Sequence, residues 1–386
     1  MALKVGRGAT APPFIVMDVI AAANARAAAS GPSDARVIRM EVGQPATGAP
    51  RAAIEAVIGA MRSGETLGYT ETFGLRPLRE RIARLYEDRY GLALDPARVA
   101  VTVGASGAFP LAFLAAFDPG DRVALASPYY PPYVNILESL GLVPVVLEAG
   151  AESRFQPTVA MLEALPSPPA GLIVASPCNP AGTMLHADEL AALAAWCTGN
   201  GVRMISDEIY HGLTYGEPAA TAAAVPGAIV INSFSKYWSM TGWRVGWMVL
   251  PEDLVRPVER IASNLFISAP AVSQVAALAA LEASEEVEMH RARYAANRAL
   301  LLEALPRAGI DRLAPAEGAF YLYADIGHLT NDSAAFCRQM LAEIAIATTP
   351  GVDFDRARGH RTLRFSFCGA TEDIAEAADR LVRWLG

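Results

Sequence analysis

Residues 233 to 246 read Ser233-Phe234-Ser235-Lys236-Tyr237-Trp238-Ser239-Met240-Thr241-Gly242-Trp243-Arg244-Val245-Gly246. They open on the end of a β-branched apolar run, 229–234, so Lys236 stands just past a strand, flanked by small hydroxyls and ahead of a second cation, Arg244. Open α/β sheets bind ligands at the carboxyl ends of their strands, and a lysine in such a loop is covered by what it binds. Burial and a neighbouring like charge both penalise the ammonium, leaving the neutral amine that carbonyl chemistry needs as its nucleophile. Lys236 is thus a candidate Schiff-base lysine, although a lysine taken alone is more often a solvated surface group.

The sheet is legible on either side of this segment. From residue 99 to 250, short β-branched runs alternate with Ala/Leu-rich stretches at helical spacing, the pattern of βαβ units. Strands are expected at 99–103, 122–125, 143–147, 172–175, 202–207, 229–234 and 245–249. The fold class is therefore α/β, with a large domain built on a mostly parallel seven-stranded sheet covered by helices. Beyond Pro257 helical spacing continues, with interruptions, to about Leu305, and 306–315 reads as a loop. Strand 319–323, helix 333–343, strand 362–367 and helix 371–385 then make a smaller α+β domain. The expected division is 1–42 as an N-terminal arm packed with the small domain, 43–280 as the large domain and 281–386 as the small one.

The chain of 386 residues is 53% hydrophobic and 19% charged, a composition that excludes disorder and supports a large core. A net charge of -8 without runs of like charge argues against a nucleic-acid partner. The longest apolar stretches, 108–117 and 269–281, fall short of the roughly 18 to 20 residues that span a bilayer, so a membrane is not expected. Cys178, Cys197, Cys337 and Cys368 have neither CxxC spacing nor the density of a disulfide framework, which suits a reducing cytoplasm. Cys178 reads as a small buried residue rather than a nucleophile. Five scattered histidines lack ligand spacing, and no metal is expected. Lys4 and Arg7 precede an Ala-rich stretch as in a secretion signal, but Asp18, Asn24 and Arg26 interrupt its apolar core. A helix after Pro12-Pro13 with Ile15, Val19, Ala22 and Ala23 on one stripe fits better.

Residues 233–246 resemble the lysine signature of the class I/II pyridoxal-phosphate aminotransferases, fold type I, with Ser, Ser, Lys, Gly and Arg at the family's intervals. Further matches follow in chain order: Gly43-Gln44-Pro45, Tyr69-Thr70 before Gly74, Gly104 to Phe109, Tyr130-Pro131, Asn179-Pro180-Ala181-Gly182-Thr183, Asp207-Glu208-Ile209-Tyr210 and Leu363-Arg364-Phe365-Ser366. The resemblance runs from about Val42 to the end. It implies an enzyme that moves the amino group of an L-amino acid to a 2-oxoacid through pyridoxal 5'-phosphate held as a Schiff base on Lys236. It also implies a homodimer in which Tyr69 reaches the partner's phosphate. Two departures, Ala181 for the usual threonine and Tyr129 for a small residue, remove no catalytic group.

Each matched residue has a job that suits its chemistry. Pyridoxal phosphate is an electron sink while its ring nitrogen stays protonated, which requires a buried carboxylate; Asp207 ends an apolar strand and fits, though aspartate there is also a preferred helix cap. The resemblance assigns Asn179 and Tyr210 to the phenolic oxygen, with Lys236, Asp207 and Tyr210 as the catalytic set. Ala105 and Ser106, in a small-residue loop at a helix start, join Ser233, Ser235 and the forked guanidinium of Arg244 as a phosphate cup. Tyr130 can stack on the ring. Arg364, flanked by apolar residues, needs an anion: the substrate's carboxylate, beside Gly43 and Asn179, or an internal salt bridge.

Two other functions share parts of this pattern. A carbon-sulfur β-lyase of the same fold differs in which bond at the α-carbon breaks, which the motifs do not record. A transcription regulator with this fold as its sensor carries a basic DNA-binding module, and the roughly 40 residues before Gly43 are too few for it. One subgroup of similar, dicarboxylate-selective relatives places a lysine where Ser106 stands, so neutral amino donors are expected. Phe14, Ile15, Val16 and Met17 are available to wall the pocket or to pack in the core.

Overall fold

The computed structural model describes residues 3–31 and 34–386. Seven strands, Val99–Thr102, Arg122–Ser127, Val143–Glu148, Gly171–Ala175, Arg203–Asp207, Ile229–Ser233 and Gly246–Val249, form one sheet. Their ends differ from the sequence reading by a residue or two. Across the sheet they stand in the order Val99, Gly246, Ile229, Arg203, Gly171, Arg122, Val143, naming each by its first residue. All neighbours are parallel except Gly246–Val249, which is antiparallel to both of its own. Every residue of Ile229–Ser233 is buried, as expected where helices cover both faces. The edge strand Val143–Glu148 is largely exposed, and Pro144, with no N–H to offer, is tolerated there.

Register brings the chemistry to one rim. Ala175 pairs with Asp207 and Asp207 with Ile231, so the loops carrying Asn179, Asp207 and Lys236 leave the sheet side by side. Gly246 pairs with Ser233 on one side and Thr102 on the other, which places Gly104, Ser235 and Arg244 at the same end.

A second sheet of four antiparallel strands has the order Thr349–Pro350, Thr362–Ser366, Tyr321–Asp325, Arg312–Leu313. Helices Ser284–Arg307, Ser333–Ile344 and Thr371–Leu385 accompany it. The first of these runs through Pro306, where the sequence suggested a loop. In the last turn the proline forfeits a single N–H bond, and its carbonyl still accepts from the Gly309 amide at 3.0 Å. A parallel pair, Ile38–Arg39 with Ile346–Ala347, ties the N-terminal segment to this region; strands of two residues have no period to read.

The N-terminal helix Ile15–Ala29 buries Ala23, as expected, and Val16, with Ile15, Val19 and Ile20 half-buried, while Ala22 of the expected stripe is exposed. Its rotation follows from how it is pinned. The Ile15 and Val16 amides donate to Asp353 Oδ1 and Oδ2 at 3.0 and 3.3 Å, a carboxylate from the second sheet's region serving as the missing cap. No helix among the described residues is long and apolar enough to cross a membrane.

Candidate active site

A cavity of about 610 Å³ opens at the shared rim. Of the residues singled out from sequence, Gly43, Ala105, Ser106, Tyr130, Asn179, Asp207, Tyr210, Ser235, Lys236, Arg244 and Arg364 all line it. Ser233 and Tyr69 do not. Ser233 lies behind the wall, donating to the Val245 carbonyl at 3.1 Å and accepting from the Ser235 amide at 3.1 Å, so it shapes the loop rather than facing the cavity. Tyr69 is 84% exposed on the chain's own surface.

Lys236 Nζ donates to the Gly43 carbonyl at 2.6 Å. Burial depresses its pKa from 10.5 to about 8, and the fields of Arg364 and Arg244 push the same way against Cys368 and Asp207. The sequence held a further signal: of 32 lysines and arginines only Lys4 and Lys236 are lysines. Apart from Lys4 the chain uses arginine throughout, and at 236 it keeps an amine, which can lose its proton where a guanidinium does not.

Asp207 is buried at the end of its strand, and burial raises its pKa from 3.8 to about 6. Its Oδ1 accepts from the Ile209 amide at 3.1 Å and its Oδ2 from the Tyr133 hydroxyl. No helix begins after Asp207, so Oδ1 closes a turn rather than capping a helix, and the carboxylate is buried. A cationic ring nitrogen brought into the cavity would restore the ionised form that burial disfavours. Tyr133 is a site residue that sequence reasoning missed, since a spacing of 74 residues to Asp207 carries no signal for the pairing.

The other end of the cavity is built for an anion. The helix Gly104–Ala116 begins with no side-chain cap, so its first amides are free. Arg244 donates to the Thr241 carbonyl at 2.7 Å and to Ser106 Oγ at 3.4 Å. Gly104 has φ +66°, and a Cβ there would lie 2.7 Å from Arg244 Nη2, so only glycine lets the guanidinium close over the helix start.

Arg364 is buried between two rings, 4.4 Å above Tyr321 and 4.6 Å from Phe354. It donates to Asn179 Oδ1 at 2.7 Å, to Thr349 Oγ1 at 3.2 Å and to the Glu41 carbonyl. Its Nε has no partner; Glu41 Oε1 pairs with Arg39 at 2.5 Å, while Glu41 Oε2 is buried without a hydrogen-bond partner. Among the described residues no carboxylate pairs with it, which removes the internal salt bridge and leaves a buried cation facing the cavity. Phe14, Val16, Met17 and Ile20 of the N-terminal helix complete the wall, while Ile15 does not reach it. Phe14 also meets Tyr130 edge-on at 5.9 Å.

A buried carboxylate, a depressed lysine, a glycine-lined anion cradle and a guanidinium with an unpartnered nitrogen are the donor set that pyridoxal phosphate and an amino acid need together. The comparisons agree. The family model for aminotransferase class I and II matches residues 35–381. The valine–pyruvate aminotransferase of Mycobacterium tuberculosis is 48% identical over 99% of this chain and 98% of its own. A crystal structure of an aminotransferase from the same organism superposes with a TM-score of 0.96 at 47% identity, covering 100% of this chain and 99% of that one. The Thermus thermophilus aspartate aminotransferase with maleate gives 0.90 at 31% identity, covering 99% and 100%. This chain belongs to the class I and II aminotransferase family. It is a pyridoxal-phosphate-dependent transaminase that moves an amino group between an amino acid and a 2-oxoacid.

Proposed function

We propose that the donor is a neutral aliphatic L-amino acid of about valine's size and the acceptor a small 2-oxoacid such as pyruvate. The observation that carries this is the set of cations at the cavity, which among the described residues are Lys236, Arg244 and Arg364 alone. Arg244 sits in the anion cradle, Arg364 is the candidate for the α-carboxylate, and Lys236 is needed for chemistry. None is left for a side-chain carboxylate, whose desolvation costs several kcal/mol unless compensated. The apolar surface of Phe14, Val16, Met17 and Ile20 suits a hydrocarbon side chain instead. The valine–pyruvate relative supports the same substrate class.

When bound, the cofactor supplies the carbonyl carbon that takes up an amine and the sink for the electron pair of the α-carbon. Ala105, Ser106, Ser235 and Arg244 would hold its phosphate, Tyr130 its ring face, Asp207 its ring nitrogen, Asn179 and Tyr210 its phenolic oxygen, and Lys236 its carbonyl carbon. Arg364 grips the substrate carboxylate. Because Arg364 occupies Asn179 Oδ1, the amide's Nδ2 is the end free to donate into the cavity. Gly43 fixes Lys236 Nζ through its carbonyl, and the neutral Nζ takes the α-proton as general base and returns it.

The same proposal includes a homodimer. Tyr69 is 84% exposed, Leu265 53% and Ile267 48%, and the Thr70 amide donates to Ser268 Oγ at 3.3 Å, which makes these residues one apolar strip. Phe266 joins it to the anion cradle, lying 3.9 Å from a Cβ placed on Gly107. A second copy seated here would bring its Tyr69 to the phosphate. Sedimentation at assay concentration is expected to give about twice 40.8 kDa, and a fully active monomer would contradict it. A division at 42 and 280 and a cytoplasmic location complete the reading, the latter supported by four free, buried cysteines.

The substrate class is tested by kcat/KM for a panel of donors against pyruvate. Valine, leucine and alanine should exceed aspartate and glutamate by at least about tenfold, near 1.4 kcal/mol of transition-state binding. Aspartate leading by that margin would contradict the proposal.

A further inference from the structure

We propose that Tyr321, which no sequence motif singled out, is a positioning residue that aims the hydroxyl proton of Tyr210 into the cavity and holds the guanidinium plane of Arg364. This inference rests on the roles given to those two residues above. Tyr321 lies on the strand Tyr321–Asp325, where it pairs with Ser366 while Tyr323 pairs with Arg364. Tyr321 and Arg364 are thus diagonal neighbours across the ladder, within reach for an aromatic ring and a long side chain. The ring lies 4.4 Å from Arg364 Cζ and the hydroxyl 2.8 Å from Tyr210 Oη. The hydroxyl also fills the space beside Gly43: a Cβ there would come within 1.7 Å of it. One buried side chain therefore touches Tyr210, Arg364 and the residue whose carbonyl holds Lys236.

Two hydroxyls in contact share one bond, and one of them must donate. The guanidinium over the Tyr321 ring draws electron density from its phenol and makes it the stronger acid. Burial raises both groups, Tyr321 to about 12, and Arg364 opposes the rise at each. With the guanidinium seated on its ring, Tyr321 is assigned as the donor and Tyr210 Oη as the acceptor. Tyr210 then keeps its own proton for an acceptor in the cavity, where its ring centroid stands 6.0 Å from Lys236 Nζ. A hydroxyl that accepts one bond is also a better donor of the next.

The test is the pH midpoint of the visible absorption band of the lysine-bound cofactor, read in holoenzyme of the wild type, Tyr210→Phe, Tyr321→Phe and the double variant. A donor to the phenolic oxygen favours its anion and lowers the midpoint, so losing Tyr210's hydroxyl should raise it by about one pH unit. Tyr321→Phe should raise it in the same direction by about half as much, since the Tyr210 donor is weakened and misaimed but present. In the Tyr210→Phe background Tyr321→Phe should add nothing. Phenylalanine keeps the stack on Arg364, so KM for valine should change less than about threefold, whereas Tyr321→Leu, which loses the stack, should raise it about tenfold. A Tyr321→Phe midpoint equal to wild type, with Tyr210→Phe shifted, overturns this inference alone. An undiminished Tyr321→Phe shift in the Tyr210→Phe background also overturns it, because the effect would not pass through Tyr210. A Tyr210→Phe midpoint equal to wild type overturns the assignment of Tyr210 and this inference with it.

Discussion

Replacing Lys236 with alanine should lower the rate of amino transfer by at least about 10⁴-fold, the upper end of what a positioned proton-transfer group contributes, while leaving the fold intact. The side chain ends at the cavity and makes a single hydrogen bond, to the Gly43 carbonyl, so its removal costs little packing. Lys236→Arg should be as inactive as alanine, since the guanidinium stays protonated and is no nucleophile. In cofactor-free wild type the pKa of about 8 sets the pH dependence. The amine is the reactive form, so cofactor capture should rise with pH up to about 8, level off above it, and fall about tenfold per unit well below it. Stopped-flow capture rates between pH 6 and 9 check this; a rate still rising above pH 9 would mean that the amine has its ordinary basicity.

The second large effect is expected at Asp207. Asparagine preserves its shape, and the Ile209 and Tyr133 contacts can be kept with Tyr133 accepting instead of donating. What is lost is the charge. Uncompensating a buried ion pair costs about 2–5 kcal/mol, so kcat should fall about 30- to 5,000-fold with covalent attachment at Lys236 retained. Asp207 titrates near 6 before cofactor binds, because burial favours the protonated form. Its raised pKa means that the carboxylate is present above about 6 and lost below it, and cofactor affinity should weaken as pH falls through that value in wild type but not in Asp207→Asn. A kcat within threefold of wild type for Asp207→Asn would remove the carboxylate from the chemistry.

Much of this was legible in the sequence because the large sheet is made of strands of four to six residues with clear boundaries, and because its loops leave at one rim. Lys236, Asp207 and Asn179 are local to that pattern: each follows or ends a strand. What escaped notice depends on pairing across long separations. Tyr133 meets Asp207, Tyr321 meets Tyr210 at 111 residues' distance, and Asp353 caps a helix 338 residues earlier. No period or spacing encodes such contacts. The N-terminal helix shows the limit in another way. Its apolar residues cover more than one face, so the stripe could not be chosen until Asp353 fixed its rotation. The choice between transamination and β-elimination was likewise absent from the motifs, which specify cofactor binding rather than the bond to be broken; full-length relatives supplied it.

Covalent attachment of the cofactor at Lys236 can be tested cleanly, because the chain contains only two lysines. The holoenzyme is reduced with borohydride, digested and mapped by mass spectrometry for the pyridoxyl group. Only Lys4 and Lys236 can carry it on a side chain. One label per chain is expected, on the peptide containing Lys236, and none after Lys236→Ala. A label on Lys4, or retention of the label in Lys236→Ala, would contradict it.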